Sequence, residues 1–258
     1  MGFENIRLES DGDLTYLILS RPDKFNALAR QTIREMLEAL NLINNDKTAR
    51  VVIIKAEGKH FCTGHDLSEM KDGTTVLYDE IFAQCVEMMT RLHTIPQPVI
   101  AQVHGIATAA GCQLVAACDM AVAEEGASFA TPGVKIGLFC HTPMVPLVRA
   151  VGRKRAMEML VTGRSVPAAT AMDWGLVNKV VPKDGLDDAT REMAQEIVKA
   201  SPLTVALGKR SFYDQLDMTE ERAYASARNA IVSNMTCGDA KEGIGAFLEK
   251  RKPVWQGK

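Results

Sequence analysis

The most constraining feature of this chain is a segment at residues 99–119 in which a strand, a run of small residues and a helix follow one another. Residues 99–103 (VIAQV) are apolar and of strand length, and residues 112–118 form an apolar, helix-like segment. Between them lie Gly105 and the small residues 107–111 (ATAAG). Such a strand–turn–helix brings backbone N–H groups and the positive end of a helix dipole close to a ligand. The spacing lacks the G-x-G-x-x-G pattern, so no dinucleotide site is indicated.

A second segment, residues 51–67, has the same order. Residues 51–54 (VVII) are predicted to form a buried strand, and the glycine-containing loop after it ends at Gly64, His65 and Asp66, with Asp66 placed to cap a following helix. If the two turns face one point, each contributes one N–H donor, and a pair of convergent donors is what a developing oxyanion needs. The alternative is that both are ordinary strand-to-helix turns.

Composition narrows the class of protein. The chain has 258 residues, a net charge of −2 and no basic block, so neither a nucleic acid nor a membrane surface is expected as a partner. The first ten residues (MGFENIRLES) resemble neither a signal peptide nor a transit peptide. The six cysteines are scattered, which favours reduced thiols in a cytoplasmic protein. Cys62 and His65 have no second ligand pair at zinc spacing, so no metal site is predicted.

Strands alternate with helices in the first part of the chain and helices dominate the remainder, which indicates an α/β fold. The predicted strands are 6–9, 14–19, 51–56, 99–103, 120–123, 128–130 and 177–181, and the predicted helices are 30–44, 78–93, 112–118, 145–151, 154–162, 168–174, 186–200, 202–214, 220–234 and 240–250. Glu124 and Glu125 are expected on a solvated turn.

The ordered motifs RPDKFNAL, FCTGHDLSEM, PVIAQVHGIATAAGCQL, ACDMAVAEEGASFATPGVKIGL, AMEMLVTGR and AMDWGLVNKVV resemble the core of the enoyl-CoA hydratase/isomerase (crotonase) superfamily. The spellings GHDL, GCQL and ATPG are similar to the subgroup of enoyl-CoA hydratase domain-containing protein 3. The resemblance implies a crotonase-like ββα spiral over residues 1–195, a C-terminal helical trimerisation region over residues 196–258, and a homotrimer or homohexamer. It also implies an acyl-CoA thioester as substrate, with no further cofactor.

The resemblance implies roles for individual residues. The thioester oxygen would lie between the amides of His65 and Ala110, where the two turns would stabilise an enolate. The implied coenzyme A contacts are Lys24, Phe25, His65, Asp66, Leu67 and Ser68. Asp66 and Asp119 match positions that are structural in the family.

Two positions depart from the family pattern. A hydratase needs two carboxylates near the α- and β-carbons, one to activate water and one to deliver a proton. Here Gln113 and Gly133 occupy those two positions. Gln113 can orient a water molecule but cannot titrate, and Gly133 has no side chain. Each general acid or base contributes about 10²–10⁴-fold, so hydration by the usual mechanism is expected to be weak or absent.

Substitute catalytic groups are therefore sought nearby. His65 resembles the histidine that helps to hold the substrate carboxylate in the methylmalonyl-CoA decarboxylase branch, whereas the alternative is a loop histidine of which only the backbone matters. His141 could move protons near neutral pH, and Cys140 could be a nucleophile only if its thiol is ionised. The sequence thus leaves open a hydratase- or isomerase-like enzyme, a decarboxylase-like enzyme and a non-catalytic acyl-CoA binder.

Overall fold

A computed structural model describes residues 2–258. The strands are β1 Ile6–Asp11, β2 Leu14–Leu19, β3 Val51–Ala56, β4 Val99–Val103, β5 Ile106–Thr108, β6 Met120–Glu124, β7 Ser128–Ala130, β8 Val166–Pro167 and β9 Lys179–Val181. The α-helices are α1 Arg30–Asn45, α2 Thr75–Thr94, α3 Ala110–Ala117, α4 Met144–Val151, α5 Arg153–Thr162, α6 Ala168–Trp174, α7 Leu186–Val198, α8 Pro202–Gln215, α9 Glu220–Thr236 and α10 Gly238–Leu248. The predicted α/β class is confirmed.

The strands form two sheets. The larger has the order β1-β2-β3-β4-β6-β9, in which β1 and β2 are an antiparallel hairpin and every other neighbouring pair is parallel. The smaller has the order β5-β7-β8, with β5 and β7 parallel. The chain enters β5 two residues after leaving β4, so the segment before α3 passes directly from the larger sheet to the smaller one.

Both faces of the larger sheet are covered, which explains why its central strands are largely apolar. Along β3, Val52 and Ile54 contribute to the main core with residues of α1 and α2, whereas Val51 and Ile53 pack on the opposite face against residues of α7. All four of these side chains are fully buried. Strands covered on both faces have continuous apolar runs rather than alternation, as in VVII.

Local sequence signals place the helices. In α1, Ile33, Met36, Leu40 and Ile43 recur at helical spacing and are buried. Helix α2 starts at a capping threonine whose side chain accepts a hydrogen bond from the third residue of the helix, and α8 starts at a capping serine followed by proline. Such caps satisfy N–H groups of the first turn that have no partner within the helix.

The structure differs from the predicted elements at several places, mostly by shifts of one to three residues at the ends of elements. The short strands β5 and β8 were not predicted, because two or three residues are too few to show a period. Helix α3 begins at Ala110 rather than at residue 112. The expectation that Glu124 lies on a solvated turn is wrong. Its side chain is buried and accepts a hydrogen bond from the amide of Gly105 at 2.8 Å.

Helices α8, α9 and α10 pack on one another at the end of the chain. The boundary expected between residues 195 and 196 falls within α7. The last three helices expose large apolar side chains, among them Phe212, Tyr224, Ile231, Val232, Met235, Phe247 and Leu248. Within residues 2–258, no helix combines the length and apolarity that crossing a membrane requires.

Candidate active site

The first turn of the site is held by the segment before α1. The amide of Leu28 donates to the carbonyl oxygen of Gly64 at 2.7 Å, and the amide of Asp66 donates to the carbonyl oxygen of Leu28 at 3.1 Å. Because consecutive N–H groups of an extended chain point to opposite sides, the amide of His65 points away from Leu28. Asp66 also caps the following 3₁₀ turn through Ser68 and binds Arg21 at 2.8 Å, so its carboxylate has a structural role.

The second turn is held by β5 and β7. The amide of Thr108 donates to the carbonyl oxygen of Cys62 at 3.0 Å, and the amide of Ala109 donates to the carbonyl oxygen of Ala130 at 2.9 Å. Helix α3 then begins at Ala110. The first amides of a helix have no acceptor within the helix, so the amide of Ala110 is available to a ligand.

The two turns are in contact. A methyl group built on Gly64 would lie 2.8 Å from Cβ of Ala109 and 3.4 Å from the amide nitrogen of Ala110. One built on Gly111 would lie 2.1 Å from the carbonyl oxygen of Cys62. These glycines allow the two backbones to approach closely. Within residues 2–258, neither the amide of His65 nor that of Ala110 donates a hydrogen bond to a protein acceptor.

A cavity of about 720 Å³ opens beside these turns. Most of its lining is apolar, and none of the described residues that line it is an aspartate or a glutamate. Its lining includes Thr63, His65, Met70, Phe82, Ala110, Gly133, Lys135, Phe139, Cys140 and His141. An apolar cavity with a few polar groups is the usual form of a small-molecule site.

The titratable side chains of the cavity are kept neutral or lie near its surface. Burial lowers the pKa of His65 to about 4, so the imidazole is uncharged at neutral pH, and its Nε2 is buried with no hydrogen-bond partner among the described residues. Burial also raises the pKa of the Cys140 thiol, which disfavours the thiolate. His141 is exposed, and its Nδ1 donates to the carbonyl oxygen of Phe139 at 3.0 Å. Because burial disfavours its thiolate, Cys140 does not supply an ionised nucleophile at neutral pH.

Comparisons with known proteins identify the family of the chain. The family model "Enoyl-CoA hydratase/isomerase" matches residues 9–258. The chain belongs to the enoyl-CoA hydratase/isomerase family. It is similar to mouse enoyl-CoA hydratase domain-containing protein 3, with 45% identity over 96% of this chain and 82% of that protein. Crystal structures of a Mycobacterium smegmatis enoyl-CoA hydratase (46% identity, 98% and 99% coverage, TM-score 0.96) and of human enoyl-CoA hydratase domain-containing protein 3 (43%, 98% and 100%, 0.95) share its fold.

These similarities confirm the predicted family, its subgroup, its crotonase-like fold and the prediction of an enzyme of the family. They contradict the expected cytoplasmic location, because the mouse relative is named as mitochondrial. That expectation depended partly on reduced cysteines. Free thiols indicate a reducing compartment and not an oxidising one, but they do not show which reducing compartment it is.

The structure of this family member brings five of the predicted site residues to one cavity, namely His65, Leu67, Ala110, Gly133 and His141. The other predicted residues, Lys24, Phe25, Asp66, Ser68 and Gln113, do not line it. Lys24 and Phe25 are exposed in the turn before α1.

The two positions that depart from the family pattern are both buried. Gln113 is buried in the first turn of α3, and its Oε1 has no hydrogen-bond partner among the described residues. At Gly133, a methyl group would lie 2.9 Å from the carbonyl oxygen of Leu138 and 3.0 Å from Sγ of Cys140. The loop at residues 137–143 therefore fills the space next to Gly133, and a carboxylate at this position would displace it.

Several lining residues were not predicted as site residues. Phe82 lies in the middle of α2 and contacts the ring of His65 at a centroid distance of 5.2 Å, and Lys135 lies in the 3₁₀ turn after β7. Neither carries a local sequence signal, because only the packing of α2 and of this turn brings them to the cavity. Among residues 2–258, no group of three or more His, Cys, Asp or Glu side chains is arranged to hold a metal ion.

Proposed function

We propose that this protein binds an acyl-CoA thioester and stabilises the enolate of its acyl group between the amides of His65 and Ala110. The observation that supports this most directly is the contact between the two turns, together with the lack of a protein acceptor for either amide. Preorganised N–H donors strongly favour a developing oxyanion, and one such donor contributes about 10²–10³-fold to kcat.

The cavity suits the acyl end of such a substrate. Its apolar wall, which includes Met70, Phe82 and Phe139, can surround a hydrocarbon chain next to the two amides. The coenzyme A part would extend toward Lys24, Phe25 and the segment from His65 to Ser68, as in the family pattern. No metal or other cofactor is needed for this step.

Hydration through two carboxylates is not part of this proposal. Gln113 cannot titrate, Gly133 has no side chain, and no carboxylate is present among the described lining residues. With both general acid–base groups missing, each being worth about 10²–10⁴-fold, addition of water to an enoyl-CoA should be slow.

Decarboxylation is a second candidate, favoured by the same lack of a carboxylate in the lining. A malonyl-type thioester brings its own carboxylate. When the bond between the α-carbon and this carboxylate breaks, the electron pair enters the enolate, CO₂ leaves, and a proton from water completes the acyl-CoA product. Only the oxyanion donors are required from the protein for the bond-breaking step. Because the ring of His65 is uncharged at neutral pH, it would contact the carboxylate by hydrogen bonding, without an ion pair.

The decisive experiment measures binding and turnover with coenzyme A, acetyl-CoA, crotonyl-CoA and methylmalonyl-CoA. We expect the thioesters to bind and at least one to be converted, with little hydration of crotonyl-CoA. CO₂ release from methylmalonyl-CoA would select decarboxylation. Tight binding without any conversion would support a non-catalytic binder, and no thioester binding at all would refute the proposal.

We further propose that the chain assembles as a homotrimer or homohexamer through its last helices. The exposed large apolar side chains of α8, α9 and α10 support this, because apolar surface left exposed on packed helices is often an interface. Light scattering should give three or six times the chain mass of 28.2 kDa. A monomer at micromolar concentration would contradict it.

A further inference from the structure

The residue immediately before the Ala110 amide has a backbone conformation that alanine rarely adopts. Ala109 has φ 51° and ψ −119°, the mirror image of extended backbone, which normally requires glycine. Such conformations persist only where the surroundings hold them, and they concentrate at functional sites. Two hydrogen bonds hold this conformation. The amide of Ala109 donates to the carbonyl oxygen of Ala130, and the carbonyl oxygen of Ala109 accepts from the amide of Gln113 at 3.0 Å.

This conformation directs the methyl group of Ala109 at the other turn. A methyl group built on Gly64 would lie 2.8 Å from Cβ of Ala109, so the existing methyl group occupies the space beside Cα of Gly64. Gly64 has φ 97°, which only glycine adopts without strain, and it immediately precedes the amide of His65. The methyl group of Ala109 therefore packs against Gly64. It lies between the backbone that leads to the amide of His65 and the backbone that leads to the amide of Ala110.

We propose that Ala109 is a positioning residue that sets the distance between the amides of His65 and Ala110. The proposal rests on the proposed function, because the distance matters only if both amides bind one oxygen. A glycine at this position would accept the same backbone angles without strain, but it would lack the methyl contact and would allow more conformations. The strained backbone of Ala109 therefore serves to align the amides of His65 and Ala110 and does not stabilise the fold.

The experiment compares the 258-residue chain with its variant Ala109→Gly, using acetoacetyl-CoA as the probe. This thioester forms an enolate that absorbs in the near ultraviolet, so the absorbance reports oxyanion stabilisation without any turnover. Lys250→Gly is the matched control, because Lys250 also has a positive φ (55°) but lies in the exposed C-terminal segment. Thermal unfolding is recorded for all three proteins.

We expect Ala109→Gly to unfold at the same or a higher temperature than the wild type and to lose about tenfold or more of the enolate signal, since small misplacements of a binding group have large effects. Lys250→Gly should keep the full signal. An unchanged signal in Ala109→Gly would overturn the proposal. A parallel fall in signal and unfolding temperature would also overturn it, because Ala109 would then have only a structural role. A wild-type protein that binds no thioester would instead refute the proposed function itself.

Discussion

Replacing Ala110 by proline removes one N–H group of the site, although it adds strain at Ala109, because the residue before a proline favours extended angles. Ala110 is the first residue of α3, the position at which a helix tolerates proline best, since the fixed φ of proline is helical and this N–H has no partner within the helix. Its amide donates to no acceptor among the described residues, so no hydrogen bond of the folded protein is lost. The substituted nitrogen carries a ring carbon where the N–H proton was.

The size of the effect follows from this geometry. We expect kcat for the thioester that proves to be the best substrate to fall by about 10²–10³-fold, equal to about 2.7–4 kcal/mol of transition-state stabilisation, the usual loss for one oxyanion donor. The unfolding free energy should also fall, by about 1–3 kcal/mol, because the proline ring crowds the methyl group of Ala109, whose backbone angles are not the extended ones that a residue before proline favours. Turnover is therefore compared under conditions in which denaturant unfolding shows both proteins to be folded.

The assay combines steady-state turnover, acetoacetyl-CoA enolate absorbance and denaturant unfolding of Ala110→Pro. Glu220→Pro is the matched control, since Glu220 is the first residue of α9, is exposed, and follows a residue with extended backbone angles (φ −64°, ψ 152°). The control should keep full turnover. If Ala110→Pro folds and keeps wild-type turnover and enolate absorbance, the amide of Ala110 does not bind the thioester oxygen and the reasoning is refuted.

Three further predictions concern stability. Gly133→Glu should destabilise the protein by about 1–3 kcal/mol in denaturant unfolding, because a side chain there meets a loop carbonyl at 2.9 Å; unchanged stability would show that the loop is not fixed. Since the pKa of His65 is lowered from 6.5 to about 4, the unfolded chain binds this proton first. Stability should therefore fall as the pH decreases from 6.5 toward 4, by up to about 3 kcal/mol, and the same titration of His65→Gln should lack this part of the loss. Lys209→Met should cost about 3–5 kcal/mol, because it leaves the carboxylate of Asp119, now 2.7 Å from the buried ammonium group, without its cation. The exposed control Lys199→Met should change stability by less than about 1 kcal/mol in the same unfolding assay.

The sequence alone determined most of the secondary structure and both turns of the site. Strand β4 and helix α6 begin and end at the predicted residues, and α1 differs by one residue. These elements are set by local signals, namely apolar runs, helical spacing and caps, which act within a few residues. The ordered motifs around Gly64 and Gly111 likewise resemble those of the family, and the close approach of the two backbones requires glycine at both positions.

Tertiary structure decided what these residues can do. The ring of His65 is uncharged because the folded protein buries it, and the space beside Gly133 is closed because the loop after it folds back. The strain at Ala109 arises only when β7 and the first turn of α3 hold its two peptide groups. Desolvation, crowding and strain depend on neighbours that are distant in the chain, and a local sequence pattern contains no information about those neighbours.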